Sequence, residues 1–249
     1  MGALLVVGAA NAKEPVAHAP NPATVVPALE PENTLDLDLS TGGRVVIQLR
    51  PDIAPNHVER IKTLARQGFY NNLIFHRVIE GFMAQTGDPQ GTGEGGSTLP
   101  DLKAEFNALP HVRGAVSAAR TSEPDTANSQ FFIMFVPRLT LDNKYTVFGR
   151  VVSGMQYVDA ITRGEPPANP SRIIRASIGS DNVPPPTPAE VAAVMATPAG
   201  HAAPALPGAS QPGAGPASAA PEFVPATPPV PAPAPETTEP EADTPQPQS

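Results

Sequence analysis

Apolar and polar positions begin to alternate at Leu35. Leu35, Leu37 and Leu39 alternate with Asp36 and Asp38, and Val45, Ile47 and Leu49 repeat the pattern after Ser40-Thr41-Gly42-Gly43. A period of two marks half-buried strands, and the glycine-rich break marks a turn, so the stretch predicts a β-hairpin. Asp36 and Asp38 then fall on its outward face, where they are expected to be solvated. The spacing changes at Pro55, a residue suited to a first helical turn. Val58, Ile61, Leu64 and Ala65 follow at helical intervals as far as Gly68, a stop signal. His57 shares this helix with Arg60, Lys62 and Arg66 and is expected to sit on its charged, solvated face.

Further along, the periodicity breaks into short runs at Ala115–Ala119, Phe131–Val136 and Tyr145–Val152, each bounded by Gly, Pro, Asn or Asp. A second short helix is predicted at Met155–Thr162, with Met155, Val158 and Ile161 on one face. A last strand is predicted over Ile173, Ile174, Ala176 and Ile178. Many short strands and only two helices point to a mainly antiparallel sheet or closed barrel.

Composition changes the picture at both ends. Of the 34 prolines, 19 lie between Asp181 and Ser249. That span carries seven acidic residues and no Lys or Arg, so it supplies all but one unit of the net charge of −8. From residue 182 onward the chain cannot bury enough apolar surface to offset ordering entropy. It reads as a disordered, Pro/Ala-rich acidic tail of polyproline II character. Ala189–Ala196 is the one piece able to form a transient helix. At the other end, residues 13–32 read as a Pro/Ala-rich linker. Met1–Ala12 has an apolar run followed by Ala10-Asn11-Ala12, a small-x-small pattern that fits the end of a signal peptide cut before Lys13. That reading predicts a periplasmic or exported protein. The missing basic residue before the run supports a competing reading, a frayed N-terminus on a cytoplasmic protein. The segment is too short to span a bilayer. One folded domain, residues 33–181, remains.

Several chemistries drop out. The body is nearly neutral and shows no basic patch, which argues against a nucleic-acid partner. There is no Cys, hence no disulfide, thiolate zinc site or cysteine nucleophile. The five His residues have no metal-ligand spacing. No G-x-S-x-G elbow occurs, and the glycines of Gly91–Gly96 are not followed by the Lys-Ser/Thr of a P-loop. Two segments hold what is left: FHRVIEGFMAQTGDPQGTGEGG at Phe75–Gly96 and GAVSAARTSEPDTANSQFFI at Gly114–Ile133. They are expected to build one shallow pocket. An arginine, amides, aromatics and a methionine suit gripping and polarising an apolar peptide better than covalent chemistry. By residue type alone Arg77 reads as a surface arginine, and Phe82, Met83 and Phe132 read as core. His76, next to Arg77 on a strand, is expected to point to the opposite face and pack inside.

FHRVIEGFMAQTGD with GTG downstream, then SQFFI and LDNKYTVFGRV, resembles the cyclophilin family of peptidyl-prolyl cis-trans isomerases over Asn33 to Asp181. The resemblance implies a closed eight-stranded antiparallel β-barrel capped by two α-helices. It implies isomerisation of X-Pro peptide bonds in proline-containing polypeptide clients, assisting protein folding, with no metal or cofactor. Arg77 matches the family's catalytic arginine, and Gln85 the glutamine that binds substrate backbone and orients it. Phe82 and Met83 match the floor and wall of the proline pocket, and Gly91 the loop glycine beside it. Ala119 and Arg120 match the strand that pairs with substrate backbone, Arg120 standing where many eukaryotic members have asparagine. Gln130, Phe132 and Leu141 match the remaining pocket residues. Thr140 stands where eukaryotic members use a tryptophan to bind cyclosporin, and Tyr145 where they have a pocket histidine. Both departures resemble bacterial members and imply weak cyclosporin binding. Nothing in the sequence points to an oligomer. Two other readings compete: a barrel that grips proline segments without turnover, and a tail that is itself the partner-binding arm.

Overall fold

A computed structural model describes residues 29–198. The expected signal segment, most of the linker and the greater part of the tail lie outside them. Eight strands form one curled antiparallel sheet: β1 (Thr34–Leu39), β2 (Gly43–Leu49), β3 (Arg77–Ile79), β4 (Met83–Thr86), β5 (Ala115–Ala118), β6 (Phe131–Met134), β7 (Val147–Ser153) and β8 (Ile173–Ile178). Their spatial order is β3-β4-β6-β5-β7-β2-β1-β8. Leu35 pairs with Ile47 and Leu37 with Val45, the register that puts both apolar rows of the hairpin on the core side. Gly43 allows the turn to pass under Tyr157, because a Cβ there would lie 2.2 Å from the ring.

The expected closed barrel is not what the strands form. β3 and β8 end the sheet without pairing as strands. The chain before each comes close instead: Ile74 bridges Arg172, Phe75 N–H donates to the Ser171 carbonyl at 2.9 Å, and Ile173 N–H donates to the Leu73 carbonyl at 2.9 Å. β3 is only three residues long and starts beyond that crossing, so pairing does not extend along it.

Helix α1 (Pro55–Arg66) buries Val58, Ile61, Leu64 and Ala65 against the core. It ends in a Schellman motif: Gly68 N–H donates to Ala65 and Phe69 N–H to Leu64, at 2.9 and 3.0 Å, with Gly68 at φ 69°. Its first turn has no side-chain cap of its own. The Glu105 carboxylate accepts from the N–H groups of Asn56 and His57 at 3.1 and 3.0 Å instead, and from His57 Nδ1 at 2.6 Å. His57 is therefore buried, 3% exposed, rather than solvated. The acceptor that draws it in lies 48 residues away, out of reach of helical periodicity. Helix α2 (Met155–Asp159) is shorter than expected but buries Val158, with Ile161 just beyond it.

Among the described residues there are three α-helices rather than the two expected to cap the sheet. Helix α3 (Pro188–Ala196) falls inside the span expected as tail. It opens on a capping box in which Thr187 and Glu190 satisfy each other's backbone N–H. It lies back on the body through Arg172, which donates to the Thr197 carbonyl at 2.8 Å, and Asn72, which donates to the Pro198 carbonyl at 2.8 Å. None of its side chains is buried. Asp36 and Asp38 are also not solvated. Arg44 donates to Asp38 at 2.8 and 2.9 Å and to Asp36 at 3.1 Å. Pro185, Pro186 and Val191 then wall a cavity of about 430 Å³ over Asp38 and Arg44. Among the described residues, no helix is long and apolar enough to cross a membrane.

Candidate active site

The site lies on one face of β3, β4, β6 and β5. Residues directly opposite on antiparallel strands share a face, so the register sorts the side chains. Arg77 pairs with Gln85, Gln85 with Phe132, and Phe132 with Ser117. Ile79 pairs with Met83 and Met83 with Met134, two residues further along the same face. The alternate positions Val78, Ala84, Ile133 and Val116 turn the other way into the main core. The site face carries its own apolar cluster: Met83, Ala115, Ala119, Phe132, Met134 and Val147, with Ile79, Phe82, Leu109, Leu141 and Tyr145 packed against it.

Polar groups border this cluster along β3 and β4. Arg77, half-buried, donates from Nε to Glu165 at 2.8 Å. Beside it, Gln85 donates to the Gln130 side-chain oxygen at 2.9 Å. Gln130 spends its own amide N–H groups on the carbonyls of Gly93 and Gly95, both at 2.8 Å. These carbonyls belong to a loop built on Asp88. The buried Asp88 carboxylate accepts from the N–H groups of Gln90, Thr92 and Gly93 at 2.7, 2.8 and 2.6 Å. Burial pushes its carboxyl up, but the N–H groups of Gln90, Gly93, Gly95 and Thr92 outweigh that and hold it below the usual carboxylate range. A Cβ on Gly95 would lie 2.0 Å from the Asp88 oxygen, so only glycine lets the loop close this tightly.

The opposite wall comes from a 3-10 turn, Leu139–Leu141, and the residues after it. Tyr145 meets Phe132 edge-on at 5.8 Å. The Arg120 guanidinium lies 4.5 Å from the Tyr145 ring centre and donates to the carbonyls of Thr121, Ser122 and Lys144. Arg120 therefore folds over the wall. Ala119 donates its N–H to the Gln130 carbonyl at 2.9 Å, just past the end of β5. Arg138 covers the Phe82 ring at 5.5 Å. Thr140 is exposed.

Most residues expected at the site thus come together: Arg77, Gln85 and Gln130 as the polar border, with Phe82, Met83, Phe132, Leu141 and Tyr145 as apolar lining. Ala119 and Arg120 form the adjoining rim. Gly91 lies in the same loop, but a Cβ there would point at Ile74, 2.8 Å from its Cδ1, and the loop meets Gln130 through Gly93 and Gly95. His76 is buried as expected, and burial pulls its imidazole below the ordinary value.

Sequence reasoning gives no role to His111 or Glu165. His111 is fully buried behind the pocket, stacked on Phe132 at 6.2 Å and edge-on to Tyr145 at 6.4 Å. Its ring nitrogens lie 2.8 Å from Asp142 and 3.1 Å from Ser117. Burial lowers its pKa against the pull of Asp142. An isolated histidine between Pro110 and Val112 carries no pattern that would single it out. Glu165 reaches Arg77 across 88 residues, and no local spacing announces it. Among the described residues, no group of three His, Cys, Asp or Glu side chains could hold a metal ion.

Comparison with known proteins agrees with this geometry. The model of the cyclophilin-type peptidyl-prolyl cis-trans isomerase family matches residues 34–178. A probable peptidyl-prolyl cis-trans isomerase of Brucella suis is 50% identical over 170 residues, covering 62% of this chain and 86% of that protein. A peptidyl-prolyl cis-trans isomerase-like 1 protein of Aspergillus oryzae is 42% identical over 144 residues, covering 55% of this chain and 89% of its own length. Among solved structures, a cyclophilin from Hirschia baltica superposes with a TM-score of 0.58 at 30% identity, over 63% of this chain and 77% of its own. A cyclophilin-type isomerase of Cryptosporidium parvum, crystallised in the presence of the dipeptide Ala-Pro, superposes with a TM-score of 0.55 at 28% identity, over 58% and 98%. The family model spans β1 to β8 and every residue of the site described above: the chain belongs to the cyclophilin-type peptidyl-prolyl cis-trans isomerase family.

Proposed function

We infer that this chain catalyses cis-trans isomerisation of X-Pro peptide bonds. The observation that carries the reading is the register of β3, β4 and β6, which sets Arg77 and Gln85 in one row with Phe132 beside a second apolar cluster. Rotation about a peptide bond is opposed by amide resonance, a barrier of about 18–20 kcal/mol. X-Pro bonds accordingly turn over in about tens to hundreds of seconds. Resonance is lost when the proline nitrogen pyramidalises, and a guanidinium aimed at that nitrogen stabilises its developing lone pair. Met83, Phe132, Leu141 and Tyr145 hold the ring and keep out the water that favours the planar amide. Gln85 holds the backbone of the substrate, and Gln130 holds Gln85. Each tenfold of rate requires about 1.4 kcal/mol, so a few hydrogen bonds that strengthen in the twisted state suffice. The reaction needs no nucleophile, proton transfer, metal or cofactor.

The Ala-Pro dipeptide of the Cryptosporidium structure supports a proline-containing ligand class for this pocket. Thr140, exposed and small, offers no aromatic face to cyclosporin. Weak cyclosporin inhibition follows, and nanomolar inhibition of the purified protein contradicts it. Function is tested by exchange spectroscopy on an X-Pro peptide. Arg77→Ala is expected to lower catalysed exchange about 100-fold, the scale of one lost transition-state donor, with the unfolding midpoint unchanged. Equal exchange in both proteins overturns the assignment.

A further inference from the structure

The segment after α2 is fastened to β3 at three points. Val78 and Gly164 exchange both backbone hydrogen bonds, at 2.8 and 2.9 Å. Ion pairs flank them: Arg77 with Glu165 at 2.8 Å on one side, and Arg163 with Glu80 at 2.7 Å on the other. Gly164 sits at φ 143°, and a Cβ there would lie 2.6 Å from the Pro167 α-carbon, so the turn admits only glycine. Arg163 donates to the carbonyls of Asp159 and Ile161 and covers the Phe135 ring at 4.3 Å. Glu165 is therefore presented to Arg77 by an anchored turn.

Stability does not account for that arrangement. The Glu165 side chain is 51% exposed, and ion pairs at such sites contribute little to folding. Orientation does account for it. Arg77 is a long side chain on a three-residue strand at the end of the sheet. The guanidinium is planar, so a carboxylate fixed at Nε sets the plane of the whole group. A charge-assisted bond at this length is strong enough to hold it.

We propose that Glu165 is a positioning residue for Arg77, its carboxylate holding the guanidinium in the plane that isomerisation requires. The proposal rests on Arg77 being the donor to the proline nitrogen. An interaction that matters most in the twisted state moves kcat rather than substrate binding.

The test compares Glu165→Ala, Glu165→Gln, Arg77→Ala and the Arg77→Ala/Glu165→Ala double variant in the full chain. Exchange spectroscopy on an X-Pro peptide over a range of concentrations separates kcat from KM. Nitrogen-15 NMR follows exchange of the Arg77 Nε proton with water. Glu165→Ala should lower kcat about tenfold, leave KM within about twofold, and speed exchange of the Nε proton. Glu165→Gln, whose amide oxygen still accepts from Nε, should keep most of the activity, which separates orientation from any loss of fold in the alanine variant. In the Arg77→Ala background, Glu165→Ala should cost nothing further. Wild-type kcat in Glu165→Ala, or a further loss in the double variant, overturns the positioning role while leaving Arg77 as donor. Wild-type activity in Arg77→Ala overturns both.

Discussion

Phe131 and Phe132 are neighbours on β6, 0% and 5% exposed, yet they belong to different parts of the molecule. Phe131 packs edge-on to Tyr70 at 5.6 Å and to Phe148 at 6.2 Å, inside the main core. Phe132 turns to the other face, where it meets Tyr145 and His111 and pairs across the sheet with Gln85. Burial alone does not distinguish a core residue from a pocket residue. The difference lies in the company: apolar neighbours around Phe131, and a border of Arg77, Gln85 and Gln130 beside Phe132.

The contrast can be broken at several places. The largest effect is expected on the core face. Phe131→Ala removes the centre of an aromatic trio and should cost about 3–5 kcal/mol of unfolding free energy, read from urea denaturation. A loss below about 1 kcal/mol would mean the face is not packed as described. The polar border responds differently. Gln130→Ala removes the group that links Gln85 to the Asp88 loop, and should lower catalysed exchange about tenfold, near 1.4 kcal/mol. An unchanged rate would show that Gln85 needs no such support.

The smallest effect is on pH dependence. His57, His76 and His111 are all held below the ordinary value near 6.5, mainly by burial. Their folded pKa lies below the unfolded one, so the unfolded chain takes up protons first as pH falls. The stability they contribute is present above about 6.5 and lost below it, by at most about 1.4 kcal/mol per pH unit per histidine. Thermal melting should therefore weaken from pH 7 towards about 5, and His76→Leu should flatten that slope. His76 is the best probe, because neither ring nitrogen has a hydrogen-bond partner among the described residues. A slope as steep as the wild type's in His76→Leu would show that this histidine does not titrate with folding.

Local pattern made the hairpin, α1 and the short strands legible, because alternation and helical spacing depend only on near neighbours. The resemblance of the motifs singles out Arg77, Gln85 and Phe132, and the register sets these three on one face. Long-range partners were beyond such reading. Glu105 buries His57, Arg44 pairs with the two outward aspartates, and Glu165 reaches Arg77, and in each case the deciding contact lies across the fold. The run Phe131-Phe132-Ile133-Met134 shows the limit within one strand. Both faces are buried, so the alternation that would tell them apart is missing from the hydropathy.

The same two phenylalanines give the most direct test. Isomerase activity on an X-Pro peptide and the urea midpoint can be measured on Phe131→Leu and Phe132→Leu, changes mild enough to keep each face apolar. The prediction is a crossover: Phe132→Leu loses activity, about tenfold or more, with its midpoint nearly unchanged, while Phe131→Leu lowers the midpoint and keeps the activity of the folded fraction. Equal losses of activity and stability in both variants, or full activity in Phe132→Leu, would contradict the assignment of catalysis to that face of the sheet.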